Sequence, residues 1–282
     1  MTDLLNQSLD TPGKVYLVGA GPGAVDLITL RGARLLERAH IVFYDALVDP
    51  AMLELCPQAI QVAVGKRCGK LSSAQQFINK RLVDAAQKHP VVVRLKGGDP
   101  MLFGRADEEI QALKDAGIKV EVVPGITAAL AGAASIQQSL TLRGVSRSVA
   151  FVTLAQGAEN ITQGQLISNP SADTLVYYMG RKDAAQIAQQ LIEQSPNQDG
   201  NTPVQILEAV STSRERLWTS TLKELADGKA DTWFDASSPA LIMIGEALRS
   251  KTQVSENLES TSSKIDNGLQ DSRVLANGRR SA

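Results

Sequence analysis

Histidine and cysteine are scarce in this chain of 282 residues: His40, His89, Cys56 and Cys68 are all there is. So few ligands argue against a structural zinc site and a disulfide framework, and the sequence predicts no metal. Neither His sits in an HExxH motif or beside a recognisable nucleophile, so the usual His-dependent triads have no obvious members. An excess of positive charge is missing too. Twenty-nine Lys and Arg face 30 Asp and Glu, a formal net charge of -1, and no global basic field invites nucleic acid. No apolar run approaches the roughly 18 residues of a membrane span, and the opening MTDLLNQSLDTP has neither a basic nor an apolar leader region. The expectation is a cytoplasmic enzyme that works without His.

What is present is ordinary globular material, 43% hydrophobic and 21% charged, at a length suited to about two domains. Short apolar runs at 14–18, 41–44, 60–64, 91–95 and 120–123 read as buried strands. Stretches of helical period lie between them, such as Leu30, Ala33, Leu36 and Ser73, Phe77, Ile78, Leu82. Ser73 and Gln76 form a plausible capping box for the second. Strand-helix alternation predicts an α/β fold with a mostly parallel sheet covered on both faces. Beyond Pro124-Gly125 a helix of small residues (128–135) precedes further strands at 148–153, 174–178, 203–207 and 239–244, with helices near 184–192 and 222–226. The divisions expected are a polar arm (1–12), an N-terminal α/β domain (13–125), a C-terminal α/β domain with a mixed sheet (126–249), and a tail (250–282). Residues 251–282 have no aromatic residue and few apolar ones, a composition that predicts disorder.

Four stretches carry chemistry. VYLVGAGPGAVDLITL places Gly19, Gly21 and Ala24 after a strand and before a helix, with Asp45 ending the next strand. That fits a loose dinucleotide-binding pattern and keeps a nicotinamide-dependent oxidoreductase open. VVVRLKGGDPMLFGR runs a buried strand into Gly97-Gly98-Asp99, where small residues let backbone approach a ligand closely. VVPGITAALAGAAS turns at Pro124-Gly125 and offers Thr127 as a helix cap, the alanines serving either tight packing or ligand approach. DALV and GKRCGK put Asp45, Lys66, Arg67 and Lys70 at strand carboxyl ends, where open α/β sheets bind ligands.

In order, GAGPGAVDLITLRG, YDALV, VGKRCGK, RLKGGDPMLFGR, VVPGIT, YYMGRK and SPALIMIG resemble the tetrapyrrole methylase family over residues 13–248. The resemblance implies two α/β domains with S-adenosylmethionine in the cleft between them, a homodimer, and no metal. It implies C-methylation of uroporphyrinogen III at two ring positions, through precorrin-1 to precorrin-2, in siroheme or cobalamin synthesis. Matched residue by residue, it places Pro22, Gly97, Gly98, Asp99, Leu102, Thr127, Ala128, Met179 and Val210 at the cofactor. It makes Asp45 the proton acceptor and Lys66 the proton donor, and implicates Arg105 in catalysis with Glu108 nearby.

An octacarboxylate substrate suits a local basic rim, for which Lys66, Arg67, Lys70, Arg94, Lys96, Arg105 and Arg143 are the candidates. Arg105 is no base, since a guanidinium stays protonated, and is expected to anchor a carboxylate. The chain departs from the family after the GGDP turn, where it reads GRAD, and at residues 134–143. There a Tyr, a Gly, a Pro and a His are lost, which bears on the identity of the tetrapyrrole, a later precorrin being the alternative. A tetrapyrrole-binding protein without catalysis is a third reading; it would keep the basic rim without needing the glycine turns.

Overall fold

The computed structural model describes residues 11–64, 71–154, 170–195 and 198–249, with side chains in the second stretch from Gln75 onward. Lys66, Arg67, Cys68, Lys70, Ala155, the tail from residue 250 and most of the N-terminal arm lie outside the described residues.

Five strands, β1 (Lys14–Gly19), β2 (Ile41–Tyr44), β3 (Ile60–Ala63), β4 (Val91–Lys96) and β5 (Val120–Val123), form one sheet in the order β3-β2-β4-β1-β5. Every pairing is parallel, so all five carboxyl ends reach the same edge. Helices α1 (Leu30–Leu36), α2 (Leu71–Ala86) and α3 (Ala106–Asp115) make the crossovers. One face buries Leu17, Phe43, Leu82 and Leu113; the other buries Val18, Leu36, Met52 and Leu95. Each such side chain contributes about 1.5–3 kcal/mol by leaving water. That two-sided cover explains why these strands read as unbroken apolar runs.

The second sheet has the order β6-β7-β10-β8-β9, from β6 (Val149–Thr153), β7 (Thr174–Tyr178), β8 (Pro203–Glu208), β9 (Arg216–Thr221) and β10 (Ala240–Ile244). β6 and β7 run parallel and the remaining pairs antiparallel, so this sheet is mixed. Helices α5 (Ala184–Gln194) and α6 (Leu222–Ala226) cover one face. Helix α4 (Ala128–Ser135) covers the other, burying Ala129, Ala131 and Ala133 against Val176, Leu207 and Met243. The small residues of α4 therefore serve close packing.

Local details depart from the sequence reading. Helix α2 starts at Leu71, so Ser73 lies inside its first turn rather than at the N-cap position. The helical pattern after the first glycine loop is a short 3-10 turn at Val25–Leu27, and α1 begins only at Leu30, where Thr29 Oγ1 accepts from Gly32 N. Strand β9 and helix α3 are additions. No helix among the described residues is long and apolar enough to cross a membrane.

Candidate active site

Three backbone turns meet at the carboxyl edge of the parallel sheet. The loop after β1 and the turn after β4 bond reciprocally, Gly98 N to Gly21 O at 2.7 Å and Gly21 N to Gly98 O at 3.1 Å. A Cβ on Gly19 would stand 2.6 Å from Gly125 Cα and 2.7 Å from Gly98 O, so only glycine permits this approach. The Asp99 carboxylate staples the arrangement, accepting from Met101 N and Gly125 N at 2.8 Å each. The backbone amide and carbonyl of Gly98 are thus spent on Gly21, and Asp99 holds turns together. Gly98 itself has φ +68 and nothing within 4 Å of where a Cβ would stand, so the space above it is open.

The second half closes on this edge. Ala24 N donates to Ser211 Oγ at 3.0 Å, and a Cβ on Gly23 would meet Thr212 at 2.5 Å. Phe103, in the loop after β4, meets the Tyr178 ring edge-on at 5.2 Å between centroids, and Phe151 meets it at 6.1 Å. Thr127 occupies the N-cap position of α4, but its side chain makes no cap bond. The Tyr178 hydroxyl does that work instead, 2.6 Å from Thr127 Oγ1 and accepting from Ala129 N at 3.1 Å. Burial raises the Tyr178 phenol above its ordinary value, and these two bonds oppose the shift. Phe103, Arg105, Met179, Ala209 and Ser211 all have φ between 49 and 63. Left-handed backbone at non-glycine residues is strained, and here it gathers around one cleft.

Asp45, Pro22, Leu102, Thr127 and Ala128 are partly accessible on the loops and helix start that form the cleft, and Met179 is exposed. Asp45 Oδ1 accepts from Leu47 N at 3.0 Å, and its Oδ2 lies 3.7 Å from Arg94 Nη2. Val210 turns its side chain into the core beneath α4; its carbonyl faces Gly23. Arg105 occupies the N-cap position of α3 without a side-chain cap bond and pairs with Glu108, Nε to Oε1 at 2.6 Å and Nη2 to Oε2 at 2.7 Å. Arg143 lies on the exposed turn closed by the Leu142–Ser146 bridge. Within the altered stretch 134–143, Ala134 and residues 137–141 line a groove of about 440 Å³ with Leu130, Ala133, Val149 and Phe151.

Arg94 and Lys96 require a correction. They are not on a rim: each is 4% exposed, because β4 is the central strand and is covered on both faces. Their charges are met by Glu109 of α3, itself 0% exposed, with Arg94 Nε and Lys96 Nζ each 3.1 Å from Oε1. From the sequence alone Glu109 had no place in the site. Its spacing from Ala106 and Leu113, both buried, was the signal that it faces inward.

Two sheets facing a shared cleft, with glycine turns at the strand ends and an acid beside them, define the class: a two-sheet α/β protein with its candidate site at the carboxyl edge of the parallel sheet. The chain belongs to the family described as Tetrapyrrole (Corrin/Porphyrin) Methylases, whose model matches residues 14–226. It is 43% identical over 254 residues to the siroheme synthase of Pseudomonas fluorescens (strain SBW25), covering 88% of this chain and 53% of that protein. With the siroheme synthase of Zymomonas mobilis identity is 42%, over 87% of this chain and 51% of the relative. The chain thus spans about half the length of the curated relatives it matches. Among solved structures, the uroporphyrin-III C-methyl transferase of Thermus thermophilus complexed with S-adenyl homocysteine shares 39% identity. Its TM-score is 0.70, with 84% of this chain and 94% of that one covered. A cobalt precorrin-4 methyltransferase shares 26% identity at a TM-score of 0.68, over 84% and 96% of the two chains.

Proposed function

We propose that this chain transfers methyl groups from S-adenosylmethionine to two ring carbons of uroporphyrinogen III in turn, giving precorrin-2 through precorrin-1. The reading is carried by one observation: the turns after β1, β4 and β5 pack backbone to backbone, leaving open space above Gly98 with Asp45 beside it. Family membership and the neighbour complexed with S-adenyl homocysteine support it. The residues present fit such a ligand. Gly98 offers a floor without a side chain, and Pro22, Leu102, Thr127, Ala128 and Met179 keep accessible surface for the remaining contacts. When bound, the cofactor supplies an electrophilic sulfonium methyl.

The protein's share of the work is positioning, which in favourable cases supplies about 7–11 kcal/mol of the barrier. Asp45 accepts the proton that the macrocycle loses elsewhere once a ring carbon is methylated, and Lys66 donates one where the macrocycle requires it. Arg105, Arg67, Lys70 and Arg143 hold substrate carboxylates, and Glu108 orients Arg105. The wider reading divides the chain into domains at 125/126 and makes it a cytoplasmic homodimer.

Incubation with methyl-labelled S-adenosylmethionine and uroporphyrinogen III, followed by mass analysis of the tetrapyrrole, tests the proposal. Two added methyl groups are expected. Methylation of a later precorrin, with none of uroporphyrinogen III, would move the substrate along the pathway and reject this one.

A further inference from the structure

Beneath the cleft, Glu109 accepts four hydrogen bonds from three side chains while fully buried. Its Oε1 takes Arg94 Nε and Lys96 Nζ at 3.1 Å and Gln75 Nε2 at 3.3 Å, and its Oε2 takes Lys96 Nζ at 3.1 Å. Arg94 is thereby forked. One edge of its guanidinium points back to Glu109, Nη1 donates to Leu95 O at 3.0 Å, and Nη2 faces Asp45. Lys96 lies under the turn that follows Asp99, its Cε 3.1 Å from where a Cβ on Gly104 would stand. Burial, with Arg94 adding to it, lowers the Lys96 ammonium from its ordinary value, while Glu109 and Asp45 pull it back up.

The charges balance only as a set. Arg94 and Lys96 are positive, Glu109 and Asp45 negative. A cluster of this kind carries a desolvation cost that apolar fillers of the same volume avoid, so packing β4 against α3 does not require it. What it does accomplish is geometric. With Glu109 satisfying Lys96 and half of Arg94, Asp45 meets Arg94 at 3.7 Å only, and its carboxylate stays 24% exposed to the cleft. Without Glu109 the unmet charge of Arg94 and Lys96 falls on Asp45, in competition with the Leu47 and Gly97 amides that hold its carboxylate.

We propose that Glu109 is a positioning residue for Asp45, acting through Arg94 and Lys96 to keep the Asp45 carboxylate turned to the cleft; this rests on the methyl-transfer reading of the site. The test uses Glu109→Gln, Lys96→Met and the double variant, which restores the balance of charge. In the ligand-free protein at fixed neutral pH, the carboxyl carbon resonance of Asp45, assigned with Asp45→Asn, should shift in Glu109→Gln and return in the double variant. Turnover should fall at least tenfold in Glu109→Gln with the cofactor KM within twofold, and recover to within threefold of wild type in the double variant. A purely structural role predicts that melting temperature alone falls in Glu109→Gln and recovers in the double variant, with the turnover of the folded protein and the Asp45 resonance unmoved. An unmoved Asp45 resonance, or a double variant no closer to wild type than Glu109→Gln, overturns the proposal. Should Glu109→Gln not fold, Lys96→Met alone decides, since it too unbalances the set and must move the resonance; an unmoved signal there rejects the role. A wild-type protein that methylates no tetrapyrrole would sink the functional reading, while the Asp45 resonance still judges the network.

Discussion

The Tyr178 hydroxyl sits 2.6 Å from Thr127 Oγ1 and 3.1 Å from Ala129 N, so a strand of one sheet caps the helix that begins beside the cleft. Tyr178→Phe keeps the ring contacts to Phe103 and Phe151 and deletes both bonds. The expected cost is about 1–2 kcal/mol, or about 2–8 °C in melting temperature for a chain of this size. Thr127→Val removes one of the same bonds. Adding it to Tyr178→Phe should therefore cost less than the sum of the two, as a double-mutant cycle will read.

On the proposed reading Gly98 and Asp45 divide the site between them. A Val at Gly98 takes on a strained left-handed backbone and fills the open space above the turn. Binding of S-adenosylhomocysteine, followed by calorimetry, should fall below detection in Gly98→Val if the protein remains folded by its melting curve. Asp45→Asn should bind that ligand within about threefold of wild type, because its partners are Leu47, Gly97 and Arg94 and the loss falls on the proton it accepts. Equal losses in the two variants would contradict this division.

How much of this was legible depended on whether a residue's chemistry matched its surroundings. β2, β5 and β7 could be bounded to the residue because each is a short apolar run ended by turn residues. β9 escaped because it is an edge strand, RLWTST, with no fully buried side chain to announce it. α3 was hidden by Asp107, Glu108 and Glu109, which read as a solvated run although Ala106, Glu109 and Leu113 share its inner face. Arg94 and Lys96 were assigned to the surface for the same reason: charge is ordinarily exposed, and only the partner across the fold shows otherwise. The glycine turns were readable as close approaches. Which backbones approach one another was not, since Gly19, Gly98 and Gly125 are brought together only by the strand order. The helix cap from Tyr178 is likewise tertiary, 49 residues away from the amide it serves.

His89 follows α2 and is partly buried, so desolvation, helped by the nearby charges of His40 and Lys88, holds its imidazole below the ordinary value. The unfolded chain then takes up the proton at a higher pH than the folded one. Stability is accordingly lost as pH falls from about 6.5 towards the folded-state value, and is unaffected above that range. His89→Gln should lose less stability than wild type between pH 7 and pH 5 in denaturant unfolding. An identical loss in both proteins would remove His89 from the acid response.

Arg105 stands where two roles compete. It occupies the left-handed N-cap of α3, φ +54, and forks onto Glu108 three residues later. The side chains of this pair are 42% and 48% exposed, and an ion pair that wet is worth about 0–1 kcal/mol. Met and Lys are L-residues too and inherit the same backbone strain, so neither substitution changes that cost. Arg105→Met should therefore melt within about 2–4 °C of wild type. If the guanidinium anchors a substrate carboxylate, the same variant raises the tetrapyrrole KM about tenfold or more while the affinity for S-adenosylhomocysteine stays put. Arg105→Lys retains a single charge but not the fork, and should fall between the two. Glu108→Gln separates the roles further, because it leaves the guanidinium in place and removes its surface partner. A small rise in KM there, beside the large one in Arg105→Met, identifies Arg105 as the anchor and Glu108 as its guide. Steady-state kinetics with each ligand varied in turn, run beside melting curves, reads all of these. A destabilised Arg105→Met with an unchanged tetrapyrrole KM would reduce the residue to half of a surface ion pair.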